Sequence, residues 1–180
     1  MVNINHMKEL PTLGFTEAIK LASSRILDFK GRSRRSEFWW WMLVVQLVGF
    51  CVSLFISNML ITTFWNILYM FCALSATARR LQDTGKSAIW VYISYALGCI
   101  TTLYVSTSGA IAALMDKMDS AHPNQAAMEK IVLNHGGEFA IMGLLGCIFM
   151  VSCLIVFIMT LIDSKPTANK YGPSPKYVEE

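Results

Sequence analysis

Residues 38–78 read FWWWMLVVQLVGFCVSLFISNMLITTFWNILYMFCALSATA, and none of these 41 residues is Lys, Arg, Asp or Glu. A helix needs about 20 apolar residues to cross a hydrocarbon core of about 30 Å, so this stretch is long enough for two crossings. Ser57 and Asn58 lie near its middle, and short polar side chains of this kind satisfy backbone groups in tight turns. The stretch therefore predicts two membrane helices joined by a turn at Ser57.

Two further uncharged stretches follow in the sequence, residues 88–115 and residues 139–162. Each is long enough for one crossing. A soluble domain distributes its charges over every surface element, whereas this 180-residue chain is 54% apolar and keeps all its charges outside the three stretches. The pattern predicts an all-α membrane protein. We place its four transmembrane helices, which together form a domain at 38–162, at about 38–57, 59–78, 88–110 and 139–162.

Lysine and arginine are unevenly distributed between the two ends of these helices. The loop 116–138 contains Lys117 and Lys130, and the other thirteen of the 15 basic residues lie in the amino-terminal segment, the loop 79–87 or the tail 163–180. Positive residues close to membrane spans are retained in the cytoplasm. Both termini are therefore expected to be cytoplasmic. Residues 116–138 are expected to form an external loop, in which residues 126–134 are a candidate short helix.

The segment before the first span has a helical pattern of its own. After a flexible amino terminus of residues 1–11, apolar side chains recur at spacings of three and four between Phe15 and Phe29, which is typical of a helix with one apolar face. Thr12 is a candidate cap, and Gly31 follows the expected end. Residues 12–37 are therefore expected to form an amphipathic helix and a basic cytoplasmic segment. The helix is expected to lie along the inner membrane interface, and docking on a partner is the alternative.

The basic, cysteine and histidine residues do not indicate nucleic-acid or metal binding. The short basic run at 30–35 directly precedes a span, a position typical of a topology signal or of contact with anionic lipid. All five cysteines lie within the predicted spans and form no Cys-x-x-Cys pair. The histidines and carboxylates of the loop 116–138 match no standard metal-site spacing. We therefore expect no nucleic-acid partner, no metal and no cofactor.

Two carboxamide side chains lie deep in the first two predicted spans. Gln46 lies eight residues after Phe38, and Asn66 lies eight residues after Asn58, so each is about 12 Å into its helix. In an antiparallel hairpin the two side chains have comparable depth. An amide hydrogen bond between helices stabilises a pair of spans by about 0.6–2 kcal/mol. We therefore predict that Gln46 and Asn66 face each other as an interhelical polar pair.

Three segments carry more sequence detail than membrane topology requires. They are FKGRSRRSEFWW at 29–40, ARRLQDTGKS at 78–87 and NKYGPSP at 169–175. Together with the four-span layout, this set closely resembles the small bacterial inner-membrane proteins grouped as domain of unknown function 805, from about Phe15 to Pro175. The resemblance implies a bacterial multi-pass inner-membrane protein without an assigned reaction. The chain departs from the family at Gln82, where a histidine is usual, and at Ala88-Ile89-Trp90, where a Gly-Trp-Trp-like run is usual.

The candidate site residues come from these three segments, which the predicted topology places on one cytoplasmic face. In the structural interpretation, Asp83 and Glu37 pair with arginines and hold the cytoplasmic helix ends together. In the functional interpretation, the arginines bind a phosphate of a lipid headgroup or of a substrate. The tail segment is expected to fold back as a turn over this surface. The candidates are Arg32, Arg34, Arg35, Glu37, Arg79, Arg80, Asp83 and Lys86, with Asn169, Tyr171, Gly172 and Pro173 in the tail.

These residues favour a non-enzymatic membrane module that binds a lipid or protein partner at its cytoplasmic face, because no nucleophile and base recur at a recognisable spacing. The expected partners are membrane lipids, anionic ones among them, and a second copy of the chain or another membrane protein. One alternative is a small oligomeric transporter or channel, whose helices would contact through small residues such as Ser94 and Gly98. The other is an enzyme acting on a phosphorylated lipid, with Arg79, Arg80 and Asp83 at its core.

Overall fold

A computed structural model describes residues 7–56, 58–118 and 125–179 of the chain. The predicted turn residue Ser57 and residues 119–124 of the predicted external loop, including His122, lie outside the described residues. The elements in chain order are β1 Met7–Glu9, α1 Phe15–Ser24, α2 Arg35–Ser53, α3 Met59–Asp83, α4 Ile89–Thr107, α5 Gly109–Met118, α6 Gln125–Asn134, α7 Gly136–Leu161 and β2 Tyr177–Glu179.

Four of the helices, α2, α3, α4 and α7, are long and apolar enough to cross a membrane. Large apolar side chains such as Phe50, Leu60 and Met150 are exposed on their outer faces. Such faces are stable only in an apolar environment, which a bilayer supplies. The predicted class, an all-α membrane protein with four helices able to span the membrane, is confirmed. The structure also contains a two-stranded sheet with three residues in each strand, which was not predicted.

The helix α3 continues to Asp83, beyond the predicted end of the second span at residue 78. The predicted span stops before the first charged residue, Arg79. In the structure Arg79, Arg80 and Asp83 have no exposed surface, because they pair with other charges and with backbone carbonyls inside the bundle. The charged residues therefore extend the helix and do not mark its end.

The described residues of the region predicted as an external loop are largely helical. The helix α4 ends at Thr107, Ser108 is extended, and α5 begins at Gly109, so the third span is shorter than predicted. The carboxylate of Glu138 accepts hydrogen bonds from the Ser108 hydroxyl (2.6 Å) and the Ala110 amide (3.0 Å), which joins the start of α5 to α7. The short helix predicted at 126–134 is confirmed as α6.

The amino-terminal helix α1 is shorter than predicted. It begins at Phe15 after Gly14, which makes no side-chain cap, so the prediction of a cap at Thr12 was wrong. It ends at Ser24 because the Arg25 backbone leaves the helical region and the Arg25 side chain turns to Asp28, with Nη2 2.9 Å from Oδ2. Gly31, with a φ of +95°, completes the turn towards α2.

The helices pack in a chain of neighbours. The helix α1 contacts α2, α2 contacts α3, and α4 lies between α3 and α7. One core cluster contains Ala22 of α1, Phe38 and Trp41 of α2 and Ala76 of α3. The Trp41 indole nitrogen donates to the Cys72 carbonyl at 2.9 Å, so this tryptophan belongs to the core, although the run of three tryptophans is also typical of an interfacial aromatic belt.

The two ends of the chain meet in a small antiparallel sheet. Strand β1 pairs with β2 so that Met7 lies opposite Glu179 and Glu9 opposite Tyr177. The predicted flexible segment 1–11 thus contains a strand, and the tail 163–180 is not a free extension. Both described ends of the chain therefore lie on the same side of the bundle.

Candidate functional site

The candidate residues from all three sequence segments meet at one end of the bundle, where α2 and α4 begin and α3 and α7 end. We call this the charged end. Arg32, Arg79, Arg80, Glu37 and Asp83 are buried there. Burying a charge is costly unless it is paired and hydrogen-bonded, so each of these groups needs partners within the protein.

Asp83, in the last turn of α3, is the centre of the larger group of charges. Its Oδ1 accepts from Nε of Arg32 at 2.9 Å, and its Oδ2 accepts from Nη1 of Arg80 at 2.6 Å. The Ser164 hydroxyl also donates to Oδ2. Both carboxylate oxygens are thus occupied by groups from three different segments of the chain.

Arg32 connects the segment before α2 to the tail. Its Nη1 donates to the carbonyls of Thr167 (2.9 Å) and Gly172 (3.3 Å). Its Nη2 donates to the carbonyls of Lys165 (2.5 Å) and Asp83 (3.3 Å). A guanidinium has five N–H donors, and with the bond from Nε all five are used within the protein.

Arg80 connects α3 to the carboxyl end of α7. Its Nε donates to the Thr160 carbonyl at 3.1 Å, and its Nη2 donates to the Ile162 carbonyl at 2.5 Å. The last carbonyls of a helix have no partners within the helix and carry partial negative charge. A cation at this position therefore stabilises the end of α7 as well as the Asp83 carboxylate.

Arg79 and Glu37 form a second buried ion pair, with Nη2 of Arg79 3.5 Å from Oε1 of Glu37. Nη1 of Arg79 donates to the carbonyls of Arg25 (2.6 Å) and Asp28 (2.5 Å). This pair joins α2, α3 and the turn after α1. The backbone N–H of Lys30, together with the Arg25 guanidinium, holds the pKa of Asp28 below its usual value, so the turn carries an ionised carboxylate at neutral pH.

The remaining candidates at the charged end have different surroundings. Arg34 is buried and donates to the Ser36 hydroxyl at 3.1 Å and to the Pro11 carbonyl. Arg35 is exposed and donates to the Leu161 carbonyl, with Nε 3.9 Å from Oδ1 of Asp163. Within the described contacts, neither arginine pairs with Glu37 or Asp83. Lys86 is exposed, and no ion pair joins it to a described residue.

The tail folds back over the end of α3. Asn169 donates from Nδ2 to the Gln82 carbonyl at 2.9 Å and accepts from the Tyr171 amide at 2.8 Å. Asn169 and Gly172 exchange two backbone hydrogen bonds of 3.0 Å, and Gly172 has a φ of +130°, which favours glycine. Pro173 follows this turn and is exposed.

No sequence pattern points to Ser164 or to the hydrogen bond made by Gln82. The Gln82 side chain donates from Nε2 to the Phe29 carbonyl at 3.1 Å, so this residue makes a structural hydrogen bond at the charged end. Ser164 is buried and bonds to Asp83. In the sequence, the one distinguishing feature of Ser164 is its position just after the last apolar stretch, residues 139–162.

The buried arginines have no accessible surface to offer a phosphate. Arg79 and Arg80 are 0% exposed and Arg32 is 4% exposed. A phosphate would have to displace the tail and compete with Asp83 and Glu37. In the observed geometry, ion pairs connect the helix ends, and hydrogen bonds from Arg32 connect them to the tail. Among the described residues, no three His, Cys, Asp or Glu side chains are placed to hold a metal ion.

A separate set of cations is exposed at the charged end. Gln82 contacts the segment that carries Lys30, through the Phe29 carbonyl, and the segment that carries Lys170, through Asn169. The Lys165 amide donates to the Asp83 carbonyl at 3.3 Å, and the Lys165 side chain crosses Gly85, where a Cβ atom would come within 2.6 Å of its Nζ. These contacts gather four exposed lysines around the end of α3, none in an ion pair with a described residue. We call Lys30, Lys86, Lys165 and Lys170 the lysine patch.

The polar pair predicted in the spans lies nearer the opposite end of α2 and α3. Gln46 and Asn66 line the same open groove, which has a volume of about 440 Å³. No hydrogen bond joins their side chains within the part of the chain that the structure describes, so the predicted interhelical bond is not observed. Both side chains are exposed.

Comparisons with known proteins identify one protein family and two relatives named as inner-membrane proteins. A family model described as "Protein of unknown function (DUF805)" matches residues 26–173, a range that contains all the buried charges described above. The "Inner membrane protein YhaH" of Escherichia coli strain K12 is 32% identical over 77 residues, which cover 37% of this chain and 63% of that protein. The protein of the same name from Escherichia coli O157:H7 has the same identity and coverage. The chain thus spans less than two thirds of these curated relatives, and no solved structure matches it.

Proposed function

The chain belongs to the DUF805 family of proteins of unknown function, and from that premise we propose that it is a non-enzymatic inner-membrane module that binds anionic lipid headgroups at its cytoplasmic face. Four helices able to cross a membrane and the inner-membrane name of the relatives support the location. The charged end holds the loop between α3 and α4 and both described ends of the chain, the regions with thirteen of the 15 basic residues. Such a bias is typical of a cytoplasmic side.

The observation that carries the proposal is the division of the cations at the charged end into two sets. The donors of Arg32 and Arg80 are directed at Asp83 and at backbone carbonyls, so these arginines stabilise the fold. The lysine patch is exposed and has no acidic partner among the described residues. Each lysine near an anionic membrane surface contributes about 1 kcal/mol of attraction, so four together form an effective binding surface.

Removing the charges of the lysine patch is expected to reduce binding of anionic lipid about tenfold or more. The variant is Lys30→Gln, Lys86→Gln, Lys165→Gln, Lys170→Gln, whose exposed side chains contribute little to stability. The measurement is native mass spectrometry of the protein in neutral detergent during titration with phosphatidylglycerol, beside phosphatidylethanolamine. The matched control is Lys117→Gln, Lys130→Gln, which neutralises two lysines in α5 and α6. Equal retention of phosphatidylglycerol by the fourfold variant and the wild type would contradict the proposal.

The proposed orientation has a test of its own. A reporter that works only in the cytoplasm is expected to be active when it is fused after Glu180. A reporter that works only outside the cytoplasm is expected to be active when it is inserted near Asn124. The physical reason is the retention of the basic segments on the cytoplasmic side. The measurement is the activity of both kinds of reporter at both positions in intact cells. Reversed signals would show that the charged end is external.

A further inference from the structure

Two carboxamides inside the membrane helices have no hydrogen-bond partner among the residues that the structure describes. They are Gln46 of α2 and Asn66 of α3, and both are exposed on the surface of the bundle. Gln46 lies seven residues before the end of α2 at Ser53, and Asn66 lies seven residues after the start of α3 at Met59. At about 1.5 Å per residue, each is about 10 Å from the end where α2 and α3 are joined, within the hydrocarbon region.

Three hydroxyl side chains near the same ends of α2 and α3 do have hydrogen-bond partners within the chain. Thr62 and Thr63 of α3 donate to the carbonyls of Asn58 and Met59 at 2.9 and 2.8 Å, and Ser53 of α2 donates to the Phe50 carbonyl at 2.7 Å. A hydroxyl that bonds to its own helix needs no further partner in lipid. The described contacts provide no such bond for the two amides, and unsatisfied polar groups in hydrocarbon are costly. The donors and acceptors of the two amides are therefore free to bond a partner from outside the chain.

The two amides open into one groove between α2 and α3. We call it the amide groove, and its lining combines the amides with apolar and small side chains. The residues are Leu43, Gln46, Leu47, Gly49, Phe50, Ser53, Asn66 and Tyr69. Lipid chains would fill such a groove but would offer no donors or acceptors to the amides.

We propose that the amide groove is a homodimer interface, occupied by the α2–α3 hairpin of a second copy of this chain. A carboxamide carries both donors and an acceptor, so it is complementary to another carboxamide. In a dimer with two-fold symmetry the same patch meets itself, and both amides of each copy gain partners at one depth. Polar side chains of this kind are known to hydrogen-bond across membrane helices.

The other candidate seam is already used inside the bundle. Ser94 and Gly98 of α4 have the small-residue spacing that favours close helix contact, but both are buried. A Cβ atom on Gly98 would come within 2.4 Å of the Met70 side chain and 2.9 Å of Phe149. These residues therefore pack α4 against α3 and α7 and are not available to a second copy, whereas the amide groove is open.

Cross-linking in membranes tests which face of the chain contacts its copy. In a full-length chain whose five cysteines are replaced by alanine, Leu47→Cys in the amide groove is expected to give a cross-linked dimer. Leu144→Cys on α7 is the matched control, because the two leucines are 54% and 61% exposed and lie at similar distances from the corresponding helix ends. Leu144→Cys is expected to remain monomeric.

The contribution of the amides is tested by dilution. Gln46→Leu, Asn66→Leu is expected to raise the dimer dissociation constant about tenfold or more, measured by fluorescence energy transfer between labelled copies in liposomes at increasing lipid-to-protein ratio. Neither amide makes a hydrogen bond within the described chain, so thermal stability in detergent is expected to be unchanged. If this variant does not fold, the cross-linking result from the Leu47→Cys chain still decides.

Three results would overturn the proposal. They are a wild type that stays monomeric at every lipid-to-protein ratio, equal cross-linking from Leu47→Cys and Leu144→Cys, and cross-linking of Leu47→Cys to a different protein. A double amide variant that dimerises as tightly as the wild type would also overturn it. None of these outcomes bears on lipid binding by the lysine patch, which lies at the other end of the bundle.

Discussion

Replacing Asp83 with alanine is expected to lower the free energy of unfolding by about 3–5 kcal/mol. Asp83 is fully buried and accepts hydrogen bonds from Arg32, Arg80 and Ser164. Its removal leaves two buried guanidinium groups without their carboxylate, and an uncompensated buried charge is strongly destabilising. The measurement is unfolding in mixed micelles with an increasing fraction of dodecyl sulfate.

The matched control is Asp163→Ala. Asp163 is a carboxylate at the same end of the bundle, and it accepts from Nζ of Lys176 at 2.9 Å, but its side chain is 49% exposed. Exposed ion pairs contribute about 0–1 kcal/mol, so this variant is expected to be nearly as stable as the wild type. An Asp83→Ala protein as stable as this control would show that the buried charges do not hold the helix ends together.

A triple variant separates a structural function of the charges from a binding function. Arg32→Met, Arg80→Met, Asp83→Leu removes both cations together with the carboxylate, so no charge in this group is left unpaired. Replacing a complete buried ion group with apolar side chains of similar volume is often neutral or stabilising. The triple variant is therefore expected to be more stable than Asp83→Ala and to bind lipid as the wild type does, since all four lysines of the patch are unchanged.

Replacing Gly98 with leucine is expected to destabilise the bundle by about 3 kcal/mol. Gly98 lies where α4 contacts both α3 and α7, and a Cβ atom there would meet Met70 at 2.4 Å and Phe149 at 2.9 Å. The end of the Met70 side chain is flexible and can shift, whereas the larger leucine also has to displace the Phe149 ring. Helix association in a membrane depends on close packing, because lipid chains are as apolar as the side chains.

The control for this prediction is Gly146→Leu on α7, where nothing lies within 4 Å of a Cβ atom. The same change of residue therefore meets no neighbour, and leucine is the better helix former. This variant is expected to match the wild type or to be slightly more stable under the same unfolding conditions. Equal loss of stability at both positions would mean that Gly98 is not packed as described.

The contacts of the charged end could be predicted only in part. The pairing of Asp83 and Glu37 with arginines was predicted, because their side chains are acidic and their segments share the cytoplasmic face with the arginines. The partners themselves, Arg32 and Arg80 for Asp83 and Arg79 for Glu37, depend on how the segments pack. Arg32 and Asp83 are 51 residues apart, and Arg32 and Gly172 are 140 apart, so no local pattern specifies these bonds.

The helix ends outside the apolar stretches were also poorly predicted. A rule that ends a span at the first charge placed the end of α3 at residue 78, and the helix continues to Asp83. The rule fails here because a charge that is paired within the protein does not need water. The sheet between Met7–Glu9 and Tyr177–Glu179 was missed for a different reason, since three-residue strands have too few side chains for a recognisable alternation.

The sequence by itself determined the class of the protein, the four spans and the positions of the two amides in them. These follow from the transfer of apolar side chains out of water and from helix length, which act on each stretch of the chain separately. Tertiary structure decided which arginines are buried and which lysines remain exposed, and it placed Gln46 and Asn66 in one open groove without a bond between them. Those outcomes depend on contacts between distant segments, because a charge or an amide finds its partner only after the helices have packed.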